Sequence, residues 1–200
     1  MTATGEGDKK ELIRRAAARV IASQGFGRST IDMIATEAGV AVGTVYNYFH
    51  GKDDLLRHIF AVEHGKRAAF FSELEKRDLT AMERLAQGLG MHLCAVAEDD
   101  SAARIVLQEG LLPHPCVGEA RGRGRVLAVF VRSVLAAGAA AGELRPANPD
   151  TVAALITGAV QGLLEAYLLG VPDPGGRRVA LDDGLSELLA LLRIGLEAAK

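Results

Sequence analysis

Residues 30–52 read TIDMIATEAGVAVGTVYNYFHGK, and the fold turns on how this stretch is punctuated. Ser29 and Thr30 are good helix caps, and Ile31, Ile34, Ala35 and Ala38 then recur at helical spacing, so a short helix with one inward face is expected. Gly39 closes it, because glycine tolerates the left-handed turn that ends many helices. Val42 to Phe49 form a second short helix, ending near His50 and Gly51. Ile34, Ala35, Ala38, Val40, Val45 and Phe49 can seal the two helices together, and the small Ala35 lets them approach closely. Such a helix-turn-helix holds its second helix proud of the body, at a width that fits a DNA major groove.

The outer face of that second helix carries Thr44, Tyr46, Asn47 and Tyr48. These are neutral hydrogen-bonding groups suited to phosphate oxygens and base edges, and asparagine can pair bidentately with adenine. Gly43 has no side chain, so the backbone there can come close to a base or sugar. Lys52 stands at the start of the next helix, where its ammonium and the free backbone N–H groups can hold a phosphate together. Taken singly, the tyrosines also read as ordinary half-buried aromatics and Thr44 as an ordinary surface residue; that reading does not account for the set.

Working outward, Ile13, Ala16, Ala17, Val20 and Ile21 make one apolar face of a preceding helix from Lys9, which Gly25 and Gly27 end; residues 1–8 read as a disordered leader. Asp53 or Asp54 can open a long fourth helix to about Lys76. Thr80 with Glu83 fits a capping box for a fifth helix through Glu98, and Ser101 can cap a sixth to Glu109. After Pro113 and Pro115 a seventh runs from about Cys116 to Ala141. Asn148 followed by Pro149 opens an eighth through Leu169, and Asp182 or Asp183 starts a ninth. No strand and no internal repeat is evident. The chain is thus expected to be all-α, with about nine helices: a helix-turn-helix domain over 9–52 and a helical body over 53–200.

The apolar residues of this 200-residue chain are mainly alanine, leucine and valine, with no tryptophan, which favours helix over sheet. The net charge of −2 argues against a binder that works through bulk positive charge. Cys94 and Cys116 form no CxxC pair and no disulfide framework, and the polar start shows no secretory signal, so a reducing cytoplasm is the expected setting. Thr151–Val171 is long and apolar enough to span a bilayer, but Gln161 and Glu165 sit in its middle, and a helix buried in protein explains it better. No Walker loop, GxSxG, HExxH or dinucleotide fingerprint is present, and no spacing among the five histidines suits a metal, so no enzyme activity, cofactor or metal is expected.

Gly25-Phe26, Ser29-Thr30, Ile34-Ala35, Ala38-Gly39-Val40, Gly43-Thr44-Val45-Tyr46, Tyr48-Phe49, Lys52 and Leu55-Leu56 together resemble the DNA-binding domain of the TetR (tetracycline-repressor-like) family. The resemblance is dense over about fifty residues; the remainder matches in helix count and length, not in motif. It implies a two-fold dimer on a palindromic operator and a ligand pocket in the C-terminal domain. Carried over by position, Thr30, Tyr46, Tyr48 and Lys52 resemble phosphate-contacting residues, and Thr44 and Asn47 with the Gly43 backbone resemble base-reading ones. Two positions depart from the family. Ala41 replaces the usual capping Ser or Thr, and Val42 stands where a polar side chain is frequent, from which it could touch a thymine methyl.

In the last helix Leu185, Leu188, Leu189, Leu192 and Leu196 share a face that Leu191 and Ile194 widen beyond one stripe, while Ala154, Gly158 and Gly162 lie four apart in the helix before. A helix needing cover on two sides packs against its own core and a partner, so these residues are expected to form a four-helix homodimer interface. Phe60, His64, Phe71, Met91, Cys94, Ile105, Phe130 and Tyr167 are candidates to line an effector cavity, with His64, His92, Glu109 and His114 as polar handles; each also reads as an ordinary core or surface residue. A repressor released by a small, largely apolar ligand is the expected function. An activator or effector-independent DNA-binding protein, and a helical carrier or enzyme with a vestigial motif, are the competing readings, separated by whether sequence preference on a cognate duplex survives moderate salt.

Overall fold

The computed structural model describes residues 3–97, 101, 105, 126–172 and 175–198. Eight helices are present among these: α1 (Ala3–Gln24), α2 (Ile31–Ala38), α3 (Val42–Tyr48), α4 (Lys52–Glu75), α5 (Ala81–Ala97), α6 (Val126–Ala140), α7 (Pro149–Leu169) and α8 (Leu181–Leu196). The chain is all-helical as expected. Of the helix expected from Ser101 to Glu109 only Ser101 and Ile105 are described, both helical, and the first part of the one expected from Cys116 lies outside the described residues.

The caps sit where local chemistry puts them. Thr30 takes an extended conformation and its hydroxyl accepts the Met33 N–H, while Gly39, at φ 65°, closes α2 with Val40 N–H donating back to Ala35 O. Glu83 N–H donates to Thr80 Oγ1 and Thr80 N–H to Glu83 Oε2, completing the capping box. Asn148 Oδ1 accepts from Asp150 and Thr151, with Pro149 in the first helical position. α1 begins earlier than expected: residues 3–8 continue the helix and are no disordered leader. Asp8 there suits the positive end of the helix dipole.

The described residues divide into two compact units, the first running to Lys66 and including Ile105, the second starting at Arg67. The division falls inside α4 rather than at its start, where the sequence reading placed it. In the first unit Ile13, Ala17 and Ile21 of α1, Ile34 and Ala35 of α2, Val45 of α3 and Leu55, Leu56 and Ile59 of α4 form one buried core. A buried ion pair ties α1 to α4 there. Arg14 grips Glu11 through two bonds of 2.7 and 2.8 Å and lies 3.6 Å from the Glu63 carboxylate, which also takes Lys66 at 2.8 Å. The Arg14 hydrogen bonds hold the Glu11 carboxyl down to about 2.

In the second unit α5 packs against α6 and α8, and α7 against α6 and α8. Leu85, Leu89, Phe130, Val131, Ile156, Val160 and Leu164 are buried. Three close approaches depend on missing side chains. A Cβ at Gly88 would meet the Phe130 ring, one at Gly138 would meet Ala81 and Leu144, and one at Gly184 would meet Leu163. α7 is long and apolar enough to cross a membrane by length and composition alone, yet Ala153, Ile156, Val160 and Leu164 bury one of its faces within the unit.

Candidate nucleic-acid interface

α3 is short, and its orientation is set by two anchors. Val45 is fully buried and Phe49, its C-cap, is 2% exposed. Fixing these inward turns Gly43, Tyr46 and Asn47, three and four residues apart, outward on one face, with Tyr46 54% exposed. Val42, Thr44 and Tyr48 are half-buried on its flanks, and Thr30 is exposed at the N-terminus of α2. Ala41 caps α3 by backbone alone, with no side-chain hydrogen bond. A Cβ built on Gly43 meets nothing within 4 Å, so the bare backbone there is not required by the protein's own packing.

The surrounding charges are largely engaged within the unit. Arg19 bonds Glu37 at 2.6 Å, Arg15 bonds Glu11 at 2.8 Å, and the Arg28 guanidinium donates to Gln24 O. His58 packs 5.4 Å from the Phe49 ring, over which Lys10 also lies. Burial, then the charges of Lys10 and Arg14, push the His58 pKa below the ordinary histidine value, leaving the ring neutral near pH 7.

Lys52 departs from expectation. Its ammonium donates to Phe26 O at 2.6 Å, Ser29 O at 2.9 Å and Gly27 O at 3.5 Å, and stands 4.4 Å from the centre of the Phe26 ring. An ammonium has three donors, and here all three close the loop between α1 and α2 instead of facing a phosphate. The sequence offered no sign of this, because the carbonyls it binds lie more than twenty residues upstream.

The candidate effector residues do not form one set. Phe71 and Phe130 stack in the second unit, 4.3 Å apart and 11° from parallel. Met91 and Tyr167 are half-buried in the same unit. Phe60 and His64 stack at 6.1 Å within the first. Ile105 belongs to the first unit's core and not to an effector cavity of the body, and Cys94 is exposed and lines nothing internal. Glu109 and His114 lie outside the described residues. Sequence reasoning passed over Arg67, 8% exposed in the second unit. The signal was its spacing, seven residues from Phe60 and four from Phe71, on the inward stripe of α4 that also carries the buried Glu63 and His64.

The dimer candidates sort by exposure. Ala154, Gly158 and Gly162 are exposed on α7 beside Leu155, which is 68% exposed. On α8 Leu196 is buried and Leu185, Leu188, Leu189 and Leu192 are half-buried, while Leu191 and Ile194 stand out at 66% and 84%. Among the described residues, no cluster of His, Cys, Asp or Glu is arranged to hold a metal ion.

A three-helix unit presenting a neutral polar stripe on its third helix, followed by a separate helical unit, defines a helix-turn-helix regulator. The chain matches the bacterial regulatory proteins of the tetR family over residues 13–59 and the tetracyclin repressor-like C-terminal domain over 78–167, and it belongs to the TetR family. It is 37% identical over 94 residues to a fatty acid metabolism regulator protein of Bacillus subtilis, a match covering 47% of this chain and 48% of that one, about half of each. Among solved structures it resembles the transcriptional regulator FadR from Bacillus subtilis in complex with stearoyl-CoA, with 24% identity, a TM-score of 0.78, and coverage of 91% of this chain and 96% of that one. It also resembles a transcriptional regulator from Saccharomonospora viridis in complex with choline, at 19% identity and a TM-score of 0.81, over 96% and 100% of the two chains. At these identities the structures share the fold.

Proposed function

We propose that this chain is a homodimeric, sequence-specific DNA-binding repressor that acts in the cytoplasm and is released from a palindromic operator by a long-chain acyl ligand. The observation that carries the DNA half is the exposed stripe of Gly43, Tyr46 and Asn47, held outward by the buried Val45 and Phe49. Tyr46, Tyr48 and Thr30 are assigned to phosphate contacts, and Thr44, Asn47 and the Gly43 backbone to base edges, with Val42 placed to meet a thymine methyl. Two such stripes in a dimer would lie roughly 34–36 Å apart, one turn of DNA.

The dimer half is supported by the apolar surface left on α7 and α8. Leu155, Leu191 and Ile194 are too exposed for an isolated helical body, and the open glycines of α7 permit a partner helix to come close. The acyl ligand is supported by the fatty acid metabolism regulator among the relatives and by the stearoyl-CoA bound to the solved FadR. The stacked Phe71 and Phe130 in the body suit an apolar chain. A ligand that fits a splayed dimer better than the DNA-bound one shifts the population away from the operator.

The test is fluorescence anisotropy on a duplex carrying the promoter beside the protein's own gene, with and without palmitoyl-CoA. The reading expects preference over a scrambled duplex at moderate salt, and at least tenfold weaker binding with palmitoyl-CoA present. Binding without preference that disappears with salt defeats the operator reading. Specific binding that ignores every acyl ligand supports an effector-independent regulator instead.

A further inference from the structure

His92, on α5, is 8% exposed, and its Nδ1 is buried with no hydrogen-bond partner among the described residues. Its surroundings, all within the second unit, are specific. Gly88 lies one turn before it on α5 and lies against the Phe130 ring, whose face stacks on Phe71. Arg67 lies one turn before Phe71 on α4, is itself 8% exposed, and its charge acts on His92. A flat aromatic pair thus stands one helical turn from a buried imidazole and guanidinium. Burial, then the Arg67 charge, lowers the His92 pKa to about 3, so the ring is neutral at pH 7 and has one N–H donor.

A buried polar nitrogen without a partner carries a desolvation cost, and no described residue offsets it for His92. We infer that His92 Nδ1–H is the hydrogen-bond donor to the acyl oxygen of the effector, with the acyl chain laid against Phe71 and Phe130 and the Arg67 charge favouring the same electron-rich oxygen. The inference rests on the acyl-ligand reading above and adds to it the atom that is recognised. A neutral imidazole suits this role, because it can donate to the oxygen while a charged ring beside Arg67 would be repelled. The shared chemistry is an acyl C=O oxygen, which a thioester and a free carboxylate both supply.

The test measures affinity for palmitoyl-CoA, for palmitate, and for S-hexadecyl-CoA, the thioether in which a methylene replaces the carbonyl. Full-length dimer and its His92→Leu variant are compared by calorimetry. The wild type is expected to prefer palmitoyl-CoA over the thioether at least tenfold, and His92→Leu is expected to bind the two alike. Whichever of palmitate and palmitoyl-CoA loses more affinity in the variant identifies the source of the oxygen; either result supports the anchor. Equal wild-type affinities for ester and ether, or a preference that survives in His92→Leu, overturn the inference while leaving the acyl reading intact. If the wild type binds none of the three, the acyl reading fails first and this inference with it. A measurement independent of the variant's folding is the 15N shift of His92 Nδ1 in the wild type, which is expected to move when palmitoyl-CoA is added. An unchanged shift at saturation also overturns the assignment.

Discussion

Replacing Gly43 with alanine sets the protein's own stability against its fit to DNA. The residue lies in the first turn of α3, its φ is not positive, and a Cβ built there meets nothing within 4 Å. Alanine therefore costs no strain in the free protein. It removes backbone freedom from the unfolded chain, which stabilises by about 0.4–1 kcal/mol. For a chain of this size that is a rise of roughly 1–4 °C in Tm. Bound to DNA the sign reverses. If the Gly43 backbone rests against a base or sugar, the new methyl must displace it, and inserting a methyl into a packed contact costs about 1–3 kcal/mol. At 1.4 kcal/mol per tenfold, affinity falls roughly 5- to 150-fold for each half-site of the operator. Thermal unfolding by circular dichroism and anisotropy on the operator duplex measure the two effects. A stabilised variant with unchanged operator affinity refutes the close approach of this backbone to DNA. A destabilised variant refutes the open space around Gly43.

Three further substitutions or conditions discriminate. Ala41→Ser supplies the side-chain cap that α3 lacks, and is expected to raise stability by about 1 kcal/mol in urea denaturation. Lys52→Met strands the carbonyls of Phe26, Gly27 and Ser29, so stability is expected to drop by about 1–3 kcal/mol while operator affinity well below the melting temperature changes less than tenfold; a phosphate-binding Lys52 would give the opposite pattern. On acidification two groups act in different windows. The folded pKa of His92 is lowered to about 3, so below the ordinary histidine value the unfolded chain takes up a proton that the folded ring refuses. Stability is then expected to fall by about 2 kcal/mol between pH 7.5 and 5, and less in His92→Leu. Glu11, lowered to about 2 chiefly by Arg14, stabilises above the ordinary carboxylate range, and its contribution is lost as the pH falls from there toward 2.

What was legible in the sequence was whatever is decided locally. Thr30, Gly39, the Thr80–Glu83 box and Asn148-Pro149 each act within four residues, and each sits where its chemistry predicts. The inward Val45 and Phe49 and the outward Tyr46 and Asn47 of α3 were legible for the same reason, whereas Thr44 and Tyr48, read as outward too, are half-buried. What was hidden depends on partners distant in the chain. Gly88, Gly138 and Gly184 look like ordinary helix-weakening glycines until Phe130, Leu144 and Leu163 arrive against them. Lys52 reads as a free cation until the loop carbonyls fold back to it. The division between units within α4 was not legible, because the helix runs unbroken through Gly65, Lys66 and Arg67 and no proline or loop marks the place. The start of α1 was missed because MTATGEGD is polar, interrupted by Gly5 and Gly7 and without an apolar period, although acidic residues favour a helix N-terminus.

Asn47→Ala, titrated by anisotropy against the operator and against duplexes carrying each single base-pair change, probes the recognition stripe itself. The account predicts that wild-type discrimination is lost at one base pair per half-site, by about 1–3 kcal/mol, and kept elsewhere. A variant that loses equal affinity on every duplex, scrambled DNA included, would contradict base reading by the exposed face of α3.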